Sequence, residues 1–241
     1  MKHPIVIEQH YGINVLRDDL LEGGTKSILL DGIEQINPHI TEYVYASPVY
    51  GGFQIALSAY CQKHGLQTTI FCAKRTTKHA NTLQCIDYGA NIIEVYPGYL
   101  SVVEKRAREY CENKPHVQKL VFGANTPENI YKITQRAKQV IQQLTYEPDE
   151  IWVAVGSGTL VKGILEAVHK TKTKVYGVLV GADFEYSHPN LTLLTYPKSF
   201  EKESKIDVAF PSMANYDRKA LELCLAHNRK VDSKVLFWNV L

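Results

Sequence analysis

No stretch of this 241-residue sequence reaches the roughly eighteen consecutive apolar residues that a membrane-spanning helix requires. The amino end, Met1-Lys2-His3-Pro4-Ile5-Val6-Ile7-Glu8, lacks the longer apolar core of a secretory signal and meets an acid at once, so no leader is expected. Charge of one sign is missing too. Lysine and arginine number 27 against 25 acidic residues, a net +2, which gives no electrostatic basis for a nucleic-acid or membrane-surface protein. Cysteine is sparse: Cys61, Cys72, Cys85, Cys111 and Cys224 are scattered, odd in number and without a CxxC or Cys/His cluster. That argues against zinc and against a disulfide framework, and predicts a reducing, cytoplasmic setting. The nine histidines show no HExxH pattern or metal-ligand spacing. Repeats, low-complexity tracts and an interdomain linker are likewise absent.

What is present is ordinary globular composition, 45% hydrophobic and 22% charged, in a chain long enough to bury a core without staples. Short β-branched or aromatic runs alternate with helical stretches, which predicts an α/β fold of parallel units. Strands are expected at 42–46, 68–72, 91–95, 119–122, 150–155, 174–180 and 234–238. Several are apolar on both alternations, as strands covered on both faces are. Helices are expected at 53–64, 80–88, 100–111, 127–144, 159–169 and 215–227. The fourth has the best-marked start, with Thr126 as N-cap and Pro127 at the first helical position. The proline-bearing stretch 181–212 resists assignment and reads as a loop-rich connection or a cover over a site.

Three segments could carry chemistry. In Arg17-Asp18-Asp19-Leu20-Leu21-Glu22-Gly23-Gly24-Thr25-Lys26, paired glycines allow a tight turn, and a lysine at its mouth can be held with a lowered pKa. A polar turn with a solvated lysine is the other reading. In Val155-Gly156-Ser157-Gly158-Thr159, a strand passes through small residues into a helix. Its amides and the Ser157 and Thr159 hydroxyls suit a phosphate, and a merely tight turn is the alternative. It is not a P-loop, and as a dinucleotide fingerprint it has only Gly156, Gly158 and a later Asp183. In Ser47-Pro48-Val49-Tyr50-Gly51-Gly52-Phe53-Gln54, glycines again precede a helix whose amides could receive a carboxylate, or simply allow close packing.

Taken in order, these segments resemble the tryptophan-synthase-beta-like, fold type II family of pyridoxal-phosphate enzymes. The nearer branches are aminocyclopropane-carboxylate deaminase, D-cysteine desulfhydrase and cysteine synthase. The family's Arg-Asp-Asp-Leu…Gly-Gly-Asn-Lys segment matches Arg17-Asp18-Asp19-Leu20…Gly23-Gly24-Thr25-Lys26. Its Gly-Ser-Gly-Gly-Thr loop is similar to Gly156-Ser157-Gly158-Thr159, one glycine shorter. Ala56 to Phe71, Leu83 to Val95 and Gly123-Ala124-Asn125 look like the intervening family units, so the likeness spans most of residues 14–181. The family asparagine that meets the cofactor's phenolic oxygen is replaced by Gly52, and the adjacent serine of the deaminase branch by Gly51. The carboxyl end looks shortened, and Asn239 is its remaining polar residue.

The resemblance implies a single two-lobed catalytic unit over 1–241, the smaller lobe at about 42–125, with pyridoxal 5′-phosphate as cofactor. It implies Lys26 as the Schiff-base lysine, and Gly156, Ser157, Gly158 and Thr159 as the phosphate loop. Asn239 becomes the partner of the pyridine nitrogen, and Gly51, Gly52, Gln54 and Asn125 the substrate-facing residues. The implied activity is lyase-type chemistry at the alpha or beta carbon of an amino-acid-like substrate: elimination, deamination, replacement or decarboxylation. Expected partners are that small substrate and, in a homodimer, a second copy of the chain; no membrane is involved. Two alternatives stand beside this: the fold retargeted to an aminated or aminoacylated nucleic-acid base, and a non-catalytic binding module. A Rossmann-type oxidoreductase is the weakest competitor.

Overall fold

The strands and helices follow the expected alternation. In the computed structural model, residues 3–181, 183–228 and 233–241 are described; Met1, Lys2 and Ala182, which fall within segments read above, lie outside them. In chain order the elements begin with β1 (Ile7–His10), β2 (Ile13–Arg17), α1 (Ile33–Ile36), β3 (Glu42–Ala46), α2 (Phe53–Lys63) and β4 (Gln67–Ala73). Next come α3 (Ala80–Asp87), β5 (Asn91–Val95), α4 (Leu100–Cys111), β6 (Val117–Lys119), α5 (Pro127–Leu144) and β7 (Glu150–Val155). The last are α6 (Thr159–Val168), β8 (Lys174–Leu179), β9 (Leu191–Thr195), α7 (Asp217–Ala226) and β10 (Val235–Asn239). Among the described residues no helix is long and apolar enough to cross a membrane.

The chain groups into two units, Met1–Leu21 with Asn125–Leu241, and Glu22–Ala124. The first is built on a six-stranded sheet in the order β1-β2-β10-β7-β8-β9, parallel except for the β1–β2 hairpin. Alternation along β7 explains why its sequence is apolar throughout. Ile151, Val153 and Val155 join Val161, Ile164 and Leu165 of α6 and Val140 of α5 on one face. Trp152 and Ala154 join Ala220, Leu221 and Cys224 of α7 on the other. The chain thus leaves β7 across one face and returns to β10 across the other. In open α/β sheets such a reversal is where ligands bind, at the carboxyl ends of the neighbouring strands.

The second unit is a four-stranded, fully parallel sheet in the order β5-β4-β3-β6. On one face Val44, Ala46, Phe71 and Val95 pack with Val103 and Ala107 of α4.

The structure corrects several expected elements. The strand placed at 119–122 runs instead from Val117 to Lys119, and a 3₁₀ turn at Phe122–Ala124 follows. There Gly123 takes φ 65, and its N–H is held by the Tyr45 hydroxyl at 3.1 Å. The 181–212 stretch contains a strand, β9. The amino end forms a hairpin through Tyr11 and Gly12 at φ 55 and 76, the left-handed pair that a two-residue hairpin turn needs. The last helix begins at Asp217 rather than residue 215.

Candidate active site

In the Glu22–Ala124 unit, the paired glycines do what their sequence suggests. Gly23 has φ 84, and a Cβ placed on it would fall 2.4 Å from the Ala56 backbone of α2. Only glycine fits there. The turn enters a 3₁₀ helix over Gly24–Leu30, and Lys26 lies in its first turn. Lys26 is half-buried. No carboxylate among the described residues is within ion-pair reach of its amine, and its Nζ lies 5.6 Å from the centre of the Phe53 ring. Desolvation with no compensating charge lowers its pKa from 10.5 to about 8.

The loop after β3 is tied from within. Gln54, fully buried, donates from Nε2 to the carbonyls of Val49 and Gly51 at 2.9 Å and of Pro48 at 3.3 Å. Its amide nitrogen therefore faces its own loop, not outward as expected of a substrate contact; its Oε1 is buried without a partner. Gly52 caps α2 without a side-chain bond, leaving the first helical amides without an internal acceptor. The cysteines offer no alternative nucleophile here. Burial pushes the Cys85 thiol up to about 11 and Cys61 to about 12, so neither is ionised near neutrality.

In the other unit, β7 runs through Gly156-Ser157-Gly158 into α6. Gly158 caps the helix at φ 83, and a Cβ there would overlap the Phe184 ring at 2.0 Å. A Cβ on Gly156 would stand 3.1 Å from the Tyr216 hydroxyl. That hydroxyl donates to the Ala154 carbonyl at 3.4 Å and accepts the Gly156 N–H. The Ser157 and Thr159 hydroxyls are 3.3 Å apart. The result is a bare backbone cradle at a helix start, with one amide already engaged and two hydroxyls beside it.

Asn239 closes β10 beside this loop in the same sheet. Its Nδ2 donates to Asp19 Oδ1 at 2.7 Å and to the Pro211 carbonyl at 2.8 Å. Only its Oδ1, buried and without a partner, remains to meet a ligand. Asp19 is in turn held by a two-point contact from Arg17, 2.9 Å at each oxygen, while Asp18 accepts from Trp238 Nε1 at 3.1 Å. The Arg-Asp-Asp run is thus structural in what it touches.

Sequence reasoning passed over Asp217. It is fully buried at the start of α7, next to the Tyr216 that touches Gly156. One oxygen accepts the Leu241 N–H at 3.2 Å, the Val240 N–H also favours the carboxylate, and Oδ1 has no hydrogen-bond partner among the described residues. Burial pushes its carboxyl well above the usual range, and the charge of Asp19 adds to the rise. An acid one residue after a tyrosine carries no sequence mark of such burial. Asn125 is exposed, between the 3₁₀ turn and the Thr126 cap.

The expected residues therefore form one group per unit: Lys26, Gly51, Gly52 and Gln54 in one; Gly156 to Thr159 and Asn239, with Asn125 apart, in the other. The model of the family described as pyridoxal-phosphate dependent enzyme matches residues 24–233. The chain belongs to that family. Among solved structures it resembles an ACC deaminase homologue at 15% identity and TM-score 0.84, covering 100% of this chain and 89% of that one. A hydrogen sulfide-producing enzyme from Fusobacterium nucleatum follows at 14% and 0.76, covering 99% and 94%. An O-acetylserine-dependent cystathionine beta-synthase from Helicobacter pylori gives 18% and 0.70, covering 100% and 92%. At such identities these neighbours establish the fold, that of fold type II enzymes. No curated protein sequence matches the chain.

Pyridoxal phosphate is the family's cofactor, and the residues present fit it chemically. An amine with no acid partner among the described residues suits the aldehyde, a glycine-built cradle with two hydroxyls suits the phosphate, and buried oxygens unpartnered among the described residues suit a ring nitrogen.

Proposed function

We propose that this chain is a pyridoxal-phosphate-dependent lyase-type enzyme acting at the alpha or beta carbon of an amino-acid-like substrate. The observation that carries the reading is the placement of Lys26, half-buried in the first turn after the Gly23-Gly24 pair with no carboxylate within ion-pair reach among the described residues, where burial lowers its amine to about 8. When bound, the cofactor supplies an electron sink for charge developing at the substrate's alpha carbon.

The rest falls to the chain's own groups. Lys26 would hold the cofactor through Nζ and, once the substrate amine has replaced it there, the freed amine, neutral in an appreciable fraction near pH 8, would be placed to take a proton from the alpha carbon. The Ser157, Gly158 and Thr159 amides and the two hydroxyls hold the phosphate. The Gly156 amide is left to Tyr216. The start of α2 at Gly52 and Phe53 receives the substrate carboxylate. Asp217 Oδ1 and Asn239 Oδ1, both buried without a hydrogen-bond partner among the described residues, would serve the ring nitrogen. Gly52 offers no side-chain amide, so the phenolic oxygen gains no side-chain donor from this position.

The test is borohydride reduction of the purified protein after loading with pyridoxal phosphate, then peptide mass mapping. A pyridoxyl mass on the Lys26 peptide, absent in Lys26→Ala along with the absorbance band in the 300–450 nm region, is expected. An unchanged adduct in that variant removes Lys26 from the role.

A further inference from the structure

Three loops leave the carboxyl edge of the four-stranded sheet side by side: 47–52 after β3, 74–79 after β4 and 96–99 after β5. Their starts are laced together, with Ser47 N–H on the Phe71 carbonyl at 2.8 Å and Lys74 N–H on the Val95 carbonyl at 2.9 Å. The middle loop reads Lys74-Arg75-Thr76-Thr77-Lys78-His79, four basic residues and no acid, in a chain whose net charge is only +2. Lys78 is answered by Glu94 at 3.3 Å. Lys74 and Arg75 have no carboxylate partner among the described residues.

Arg75 is nevertheless fixed. Its guanidinium lies 5.1 Å from the centre of the Tyr50 ring, and that ring is braced edge-on by His79 at 4.7 Å. His79 Nδ1 accepts the Asn81 N–H at 3.2 Å, which leaves the ring proton on Nε2. A guanidinium resting on an aromatic face keeps its N–H edge outward, in the fork that matches an oxyanion at two points. Tyr50 directly precedes Gly51-Gly52, so the cation is carried on the loop assigned above to the substrate carboxylate.

We propose that Arg75, positioned by Tyr50 and His79 and supported by Lys74, forms a second anion subsite, and that the substrate is an amino acid with an oxyanion, a phosphate or carboxylate, on its side chain. This rests on the reading of the chain as a pyridoxal-phosphate enzyme and names its substrate class.

The experiment is an absorbance titration of the cofactor-loaded protein with O-phospho-L-serine, L-glutamate, L-serine and L-glutamine. The anionic member of each pair is expected to half-saturate at about tenfold lower concentration, the worth of one charge-assisted contact. Comparing the pairs separates phosphate from carboxylate. Arg75 is exposed, so Arg75→Ala should fold normally and erase the preference, and Arg75→Lys should restore part of it. Equal titration of neutral and anionic members, or a preference that survives Arg75→Ala, overturns the subsite. If no amino acid perturbs the spectrum, the proposed function itself fails. A cofactor-free measurement still decides the subsite: inorganic phosphate should shift the His79 ring-proton resonance in the unsubstituted chain and not in Arg75→Ala. No shift in either overturns it.

Discussion

Burial without a counter-charge makes the Lys26 amine a pH-dependent nucleophile in its own right. With its pKa lowered to about 8, its reaction with pyridoxal phosphate should rise through a midpoint near pH 8, not near 10.5. Stopped-flow absorbance across pH 6–11 would read this. The same depression affects stability. The folded chain sheds the proton near pH 8 and the unfolded chain only near 10.5, so stability of the cofactor-free protein should increase with pH across that window. Lys26→Met should flatten the rise and stabilise the protein at pH 7 by on the order of 2–3 kcal/mol, allowing for partial solvent screening. Urea midpoints at several pH values would measure it. Asp217 runs the opposite way. Its raised pKa means the folded state keeps a proton that the unfolded state loses near 3.8, so its ionisation increasingly opposes folding as pH rises above that. Asp217→Asn should remove this component and, if Oδ1 meets the ring nitrogen, also move the cofactor absorbance maximum. Residue identity made Lys26 and the glycines legible in the sequence. Asp217 was not legible, because its significance lies in having no water and no partner, which depend on α7, Asp19 and the chain end meeting in space.

β7 and α5 announced themselves, since an apolar run and a capped start follow directly from burial on both faces and from capping. The strands that went unread are β1, β2 and β9; β1 and β9 are the two edges of the six-stranded sheet, and β2 lies between β1 and β10. Each edge strand pairs on one side only and is half-covered, so neither needs the continuous apolar run that marks a central strand, while the short β2 is broken by Asn14 and ends on Arg17. At the turn into α6, Gly158→Ala would set a Cβ into the Phe184 ring and impose a left-handed backbone on a side chain. It should cost at least about 1–2 kcal/mol and weaken cofactor retention, read by thermal melting and by cofactor loss on dialysis. Gln54→Ala should cut the ties to Pro48, Val49 and Gly51, speeding amide exchange over residues 48–52 with a stability loss of about 1–3 kcal/mol.

Each unit has its own hydrophobic core, and the two differ in what can be seen of them. Ile164 is fully buried between α6 and the sheet, and Ile164→Ala should cost about 2–5 kcal/mol, displayed as an earlier tryptophan-fluorescence transition in urea. Both tryptophans, Trp152 and Trp238, belong to that same unit. Trp152 lies flat on Tyr176 at 4.3 Å, and Trp238 is anchored to Asp18. Tryptophan emission is therefore a one-sided witness: it watches the sheet that carries the glycine cradle and has no reporter in the sheet that follows Lys26. Replacing Phe71, buried against α4, with tryptophan would give the silent sheet an optical voice of its own.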